Sequence, residues 1–135
     1  MKKLISTLVL PFILINCSSQ NDTINISGAW KITKYDAYMP DISPNLIEST
    51  RTDLLSSKYE FNSKNEFILT SKNFENGLIG VYKLDIVNKL ITFIYNDKNF
   101  PNEVYELKQI DNENMIWHQD MPEIGYNTLT LKKIY

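Results

Sequence analysis

The residues with side chains suited to catalysis are few and widely spaced in this chain. His118 is the single histidine, and neither a nucleophile nor a second base lies near it in the sequence. Two pairs of acids flank loops, Asp36 with Asp41 and Asp120 with Glu123. Paired carboxylates serve in glycoside hydrolysis, but sixteen acids spread through turns are most simply interpreted as solvating charges. The sequence therefore predicts a protein that is not an enzyme, with no catalytic residue, no metal site and no cofactor.

The single cysteine, Cys17, is placed for chemistry of another kind. Residues 1–16 begin with two lysines and continue with the uncharged stretch 4–15, which is too short to span a bilayer and is typical of a secretory signal. The sequence Leu-Ile-Asn-Cys at its end resembles the lipobox of bacterial lipoproteins. That resemblance implies cleavage before Cys17 and its modification by diacylglycerol and an acyl chain such as palmitate. The alternative is an ordinary signal followed by an unmodified cysteine.

The sequence after the cysteine favours a location in the cell envelope. Residues 17–25 are mostly polar and are predicted to form a flexible tether. The serine after the cysteine is similar to the outer-membrane sorting pattern of Gram-negative lipoproteins. We therefore expect a lipid-anchored outer-membrane protein, facing the periplasm or the surface. The net charge of −2 leaves no basic field for nucleic acid.

From residue 26 onward, apolar and polar side chains alternate with the period of two that is typical of strands. Eight strands are predicted, at residues 26–33, 58–62, 66–70, 78–84, 90–95, 103–108, 115–119 and 126–133. A series of consecutive hairpins with no long helix to cover it removes its exposed edges by closing on itself. The sequence therefore predicts an all-β domain over residues 26–135, an eight-stranded antiparallel up-and-down meander barrel.

The long connection at residues 37–55 departs from this alternation. Ser43 followed by Pro44 is a pattern typical of a helix start, and apolar residues are spaced loosely like one face of a helix. We expect this segment to lie across one mouth of the barrel and favour a packed plug over a moving lid.

Short motifs in residues 27–133 resemble those of lipocalins. Gly28-Ala29-Trp30 is similar to the Gly-x-Trp opening of that family, and residues 59–67 with 80–84 resemble small lipocalin-like domains of Bacteroidetes lipoproteins. The resemblance implies that Trp30, with Gly28 beside it, closes one end of the barrel under a basic residue. The family uses an arginine there. The only arginine of this chain lies in the long connection, so Lys133 is the expected substitute.

Aromatic residues are abundant, with eight Tyr, six Phe and two Trp. Five of them fall on the strand faces that we expect to point inward: Tyr59, Phe61, Phe67, Tyr82 and Tyr105. They either fill the core or line a cavity for a small hydrophobic or amphipathic molecule. Strands five and seven carry apolar residues on both faces, so the sequence leaves their inward faces undecided.

Two functions follow from these patterns. The first is a membrane-anchored, lipocalin-like lipoprotein that binds a small hydrophobic or amphipathic ligand inside the barrel. The second is an envelope module, an inhibitor or adaptor, that binds a protein partner through the outer barrel surface, including residues 93–95, and the 37–55 connection.

Overall fold

The computed structural model describes residues 24–135 as a closed antiparallel barrel in which each strand pairs with its neighbours in sequence and β1 pairs with β8. The strands are β1 (Gly28–Tyr38), β2 (Lys58–Phe61), β3 (Glu66–Thr70), β4 (Leu78–Asp85), β5 (Leu90–Tyr95), β6 (Glu103–Ile110), β7 (Asn114–Met121) and β8 (Gly125–Ile134), and the helix α1 is Pro44–Leu55. The predicted all-β class, strand number and up-and-down order are confirmed.

The first strand is longer than its sequence pattern indicates. A bulge between Ile32 and Lys34 shifts the register with β8. The extra residue changes which side chains point inward, so that Ile32 is followed by Tyr35 on the inner face. The alternation therefore breaks at this point although the strand continues to Tyr38.

The long connection contains the helix expected after Ser43, with Pro44 in its first turn. None of the side chains of α1 is fully buried. Ile47, Leu54 and Leu55 are half-buried against the core, and among the described elements α1 contacts β1. The helix thus covers the β1 side of one mouth, which we call the helix end of the barrel.

Inward side chains from all eight strands form one core. Strand five contributes Ile91, Phe93 and Tyr95, and strand seven contributes Met115 and Trp117. Their burial shows which face of each of these two strands points inward, which the sequence left undecided. The described residues 24–135 form this core among themselves, and β1–β8 pairing closes the sheet. This segment therefore carries its own core and closed hydrogen-bonded sheet, which is what a domain needs to fold alone.

Gly80 makes room for a core ring. A Cβ at this position would lie 2.7 Å from Cε1 of Phe67 and would also meet the carbonyl oxygen of Ile94. Since the obstacle on one side is backbone, the strand itself would have to move.

We expect Gly80→Ala to lower the free energy of unfolding by about 1–3 kcal/mol, the usual range for overpacking a core. The matched control is Val81→Ala, because this neighbouring side chain is outward-facing and 40% exposed. Urea unfolding followed by tryptophan fluorescence measures both variants. Equal effects at the two positions would contradict the crowding at Gly80.

Candidate functional site

Trp30 is buried near the end of the barrel opposite the helix, which we call the tryptophan end. The indole N–H of Trp30 donates to the carbonyl oxygen of Ile26 over 2.8 Å, and both residues are buried. Lys133 pairs with Trp30 in the register, with its Nζ 5.8 Å from the ring centroid. A Cβ on Gly28 would lie 2.9 Å from Cε of Lys133. Gly28, Trp30 and Lys133 therefore pack against one another at this end of the barrel.

The five aromatic residues expected to point inward are all buried in one interior. Tyr82 lies toward the tryptophan end, where its hydroxyl donates to the carbonyl oxygen of Asn62 over 3.3 Å. Phe61 contacts the Tyr82 ring edge-on, with centroids 5.0 Å apart. The remaining three belong to the middle and the helix end: Tyr59, Phe67 and Tyr105.

The middle of the barrel is filled by aromatic rings. The Phe93 ring has centroid distances of 5.0 Å to Phe67, 5.1 Å to Trp117 and 5.5 Å to Tyr59. Such distances are those of rings in contact. The aromatic residues therefore form a packed layer across the interior.

A polar cluster adjoins this layer on the side of the helix end. The hydroxyls of Tyr95 and Tyr105 donate to Oε2 of Glu103 over 3.0 and 3.4 Å. Tyr59 lies beside these groups, since Tyr105, Tyr95 and Glu103 all contribute to its raised pKa. We call these four residues the tyrosine–glutamate cluster.

The pKa values of the four side chains in the cluster are shifted from their ordinary values in water. Burial raises the pKa of the Glu103 carboxyl above its ordinary value, and the hydrogen bonds from Tyr95 and Tyr105 partly oppose that rise. Burial also raises the pKa of Tyr59, Tyr95 and Tyr105, and the charge of Glu103 raises these three values further. The tyrosines therefore remain neutral donors at any physiological pH.

Trp117 adds an unpaired donor to the same region. Its side chain is fully buried, and its indole Nε1 has no hydrogen-bond partner among the described residues. The rings of Tyr59 and Tyr105 lie 5.2 and 5.6 Å away. An unsatisfied buried donor costs about 1–3 kcal/mol, so this N–H is available to a ligand acceptor.

Three members of this region, Tyr95, Glu103 and Trp117, were not among the residues predicted to bind a ligand. Tyr95 and Trp117 belong to the strands with two apolar faces, where alternation gives no direction. Glu103 is an acid at a strand start, a pattern that usually indicates exposure. What shows that Glu103 points inward is its position opposite the inward Phe93. That pairing is known only from the strand register.

The residues first considered for catalysis lie on the outside. His118 is on the outer face, hydrogen-bonded to Thr128 Oγ1 over 2.8 Å and to Asp120 Oδ1 over 3.1 Å. Asp36 forms an exposed ion pair with Lys34. Within residues 24–135, no group of three or more His, Cys, Asp or Glu side chains is arranged to hold a metal ion.

The predicted signal peptide, residues 1–16, and Cys17 lie outside the described residues. Of the predicted tether, Ile24 is half-buried and packs against the core, while Asn25 is exposed. Over residues 24–135, no helix has the length and apolar character needed to cross a membrane.

Comparison with known proteins found no family model that matches the chain and no curated protein with a matching sequence.

The variant Glu103→Gln tests the raised pKa. The folded state holds the Glu103 proton above the ordinary pKa of 4.5, whereas the unfolded chain releases it there. The contribution of this group to the free energy of unfolding is therefore present at low pH and falls as the pH rises above that value. We expect the variant to gain stability relative to the wild type between about pH 4 and pH 7.

Urea unfolding across this pH range measures the difference. Glu106→Gln is the control, because its exposed carboxylate lies on the outer face of the same strand. If the stability difference from the wild type varies with pH in the same way for Glu103→Gln and Glu106→Gln, the raised pKa of Glu103 is contradicted.

Proposed function

We propose that this chain is a membrane-anchored, lipocalin-like lipoprotein of the bacterial cell envelope that binds a small hydrophobic or amphipathic molecule inside its barrel. The closed eight-stranded barrel and its inward aromatic side chains support the binding role. The resemblance of the segment before Cys17 to a lipobox supports the anchor.

The observation that carries the proposal is the unpaired indole N–H of Trp117 beside the tyrosine–glutamate cluster. Buried polar groups in folded proteins almost always have partners, and the exceptions mark places where a ligand or water completes the site. Here a donor, a carboxylate acceptor and apolar ring faces occur in one region, which is the usual composition of a small-molecule pocket.

The same contacts define the chemistry of the ligand. Trp117 requires an acceptor, and Glu103 can accept a further donor besides the two tyrosine hydroxyls, so a hydroxyl or an amine that can do both is the best match. The flanking rings of Tyr59 and Tyr105 favour an apolar or aromatic body. Because the rings around Phe93 pack across the middle of the barrel, the molecule is short and does not extend along the barrel axis.

Entry at the helix end is the route that the packing favours. Here α1 rests on the core only through half-buried side chains, and its first turn has no side-chain hydrogen bond at the cap. Phe74 and Phe100, from the two neighbouring connections, contact each other at 5.5 Å, and Phe100 lies 5.6 Å from Tyr95. Movement of these loop rings would open a path to Glu103 without breaking a strand pairing.

Native mass spectrometry of the segment 18–135, before and after organic extraction, tests for a retained molecule. We expect a stoichiometric adduct that extraction removes. N-phenyl-1-naphthylamine, an uncharged aromatic amine with one N–H donor, then serves as a fluorescent probe of the emptied protein. Its fluorescence should rise and saturate at one molecule per chain.

We expect Glu103→Gln to weaken binding of this probe by about tenfold, since a hydrogen bond to a charged acceptor is worth roughly 1.5–3 kcal/mol. Glu106→Gln should bind like the wild type. A bare protein that also fails to bind the probe, or equal affinities for the two variants, would contradict the interior site.

A patch of outward aliphatic side chains supports the second candidate, binding of an envelope protein. Cross-strand pairs bring Ile68 beside Ile79 and Val81 beside Ile94 on the outer faces of β3 to β5, and Val104 follows on β6. The helix contacts β1 and leaves this patch exposed. Of residues 93–95, which the sequence offered to a partner, Phe93 and Tyr95 are buried and only Ile94 faces outward.

The anchor is tested on the full chain with Cys17→Ser. Expressed in a Gram-negative host fed radioactive palmitate, the wild type should incorporate label and partition into detergent. The variant should incorporate none, because it lacks the thiol that receives diacylglycerol. Equal labelling of both proteins, or an unlabelled wild type, would contradict lipidation at Cys17.

A further inference from the structure

A cleft on the outer surface of the helix end lies apart from the interior cluster. It has a volume of about 440 Å³ and is formed between the end of β1 and the β7–β8 hairpin. Tyr38 and Tyr126 face each other on adjacent strands, with ring centroids 5.8 Å apart and an angle of 31° between the rings. These side chains are 59% and 42% exposed, which is unusual for two neighbouring aromatic residues.

The backbone holds the hairpin tightly against β1. Gly125 has a φ of 144°, and a Cβ there would collide with the carbonyl oxygen of Tyr38. A side chain at position 125 would push the two strands apart and separate Tyr38 from Tyr126. The tyrosine pair therefore depends on a close approach that only glycine permits.

The charges lining the cleft have one sign. Asp120 and Glu123 line it together with the tyrosines and prolines, and no basic residue of the described part of the chain does so. Arg51 lies in the adjoining groove with Tyr38 and Pro40, where it forms an ion pair with Glu48.

A hydrogen-bonded chain positions one of the two carboxylates. Since an ionised carboxylate only accepts, Nε2 of His118 donates to Asp120, and Nδ1 forms a second hydrogen bond with the Thr128 hydroxyl. The His118 ring also lies 5.6 Å from the Tyr126 ring. Asp120 is thus oriented at the edge of the tyrosine pair.

We propose that this cleft binds a small organic cation with a quaternary or alkylated ammonium group. Tyrosine faces attract such a cation, and adjacent carboxylates neutralise it. The apolar lining, with Pro40 and Pro122, accommodates its alkyl groups.

Choline is the probe, and its uncharged carbon isostere 3,3-dimethylbutan-1-ol is the matched ligand control. Titration of the ¹⁵N-labelled segment 18–135 should shift the amide signals of Tyr38 and residues 120–126 in a saturable manner. We expect the isostere to bind at least about tenfold more weakly than choline, because it lacks the charge that the rings and carboxylates recognise.

Tyr126→Leu and Asp120→Asn should each weaken choline binding by about threefold or more, since each removes one attraction to the cation. The controls are Tyr135→Leu and Asp97→Asn, exposed positions outside the cleft, which should bind like the wild type. Tyr38→Leu provides a second test of the ring pair should the Tyr126 variant lose its amide dispersion.

Three outcomes would overturn the proposal. Equal binding of choline and the isostere would show an apolar cleft without cation recognition. Equal loss in Asp120→Asn and Asp97→Asn would show general attraction to an acidic protein. Tighter binding of N-acetylglucosamine than of choline at the same amide signals would assign the cleft to saccharides.

Discussion

Pairing of the first strand with the last constrains everything else in this molecule. The β1–β8 register extends from Ala29 opposite Ile134 to Tyr38 opposite Tyr126, with one bulge. Once the sheet closes, every inward side chain must fit in one narrow interior, and a polar atom there can pair only with the few groups that share it. The aromatic layer and the tyrosine–glutamate cluster are two responses to this constraint, one by packing and one by hydrogen bonding.

Much of the fold follows from alternation in the sequence, but the site follows from register. Tyr59 and Phe61 were correctly predicted to point inward because polar residues flank them on a strand with only one apolar face. Phe93 and Ile94 could not be separated in this way, since both are apolar and only the cross-strand partners decide their direction. The bulge after Ile32 reverses the inward parity of β1 without a glycine or proline to signal it.

The polar part of the interior could not be predicted from the sequence for a related reason. Glu103 is an ordinary acid in the sequence, and its burial depends on lying opposite Phe93 with two tyrosine hydroxyls within reach. Such a group is predictable only once the strands are aligned. The cleft outside the barrel is similar, because Gly125 and Tyr38 are far apart in the chain and meet only through closure of the sheet. Interior and exterior features at the helix end thus share one structural origin.

The hydrogen bond between Trp30 and Ile26 also sets how the barrel would be oriented on a membrane. It fixes residues 24–27 at the tryptophan end, so the chain leaves the barrel there. Between an acylated Cys17 and Ile24 the chain can extend at most about 25 Å, at roughly 3.3–3.6 Å per residue. With the anchor proposed at Cys17, the tryptophan end would be held next to the lipid surface. The helix end, with Glu103 on the inside and the Tyr38–Tyr126 cleft on the outside, would point away from the bilayer toward the aqueous compartment.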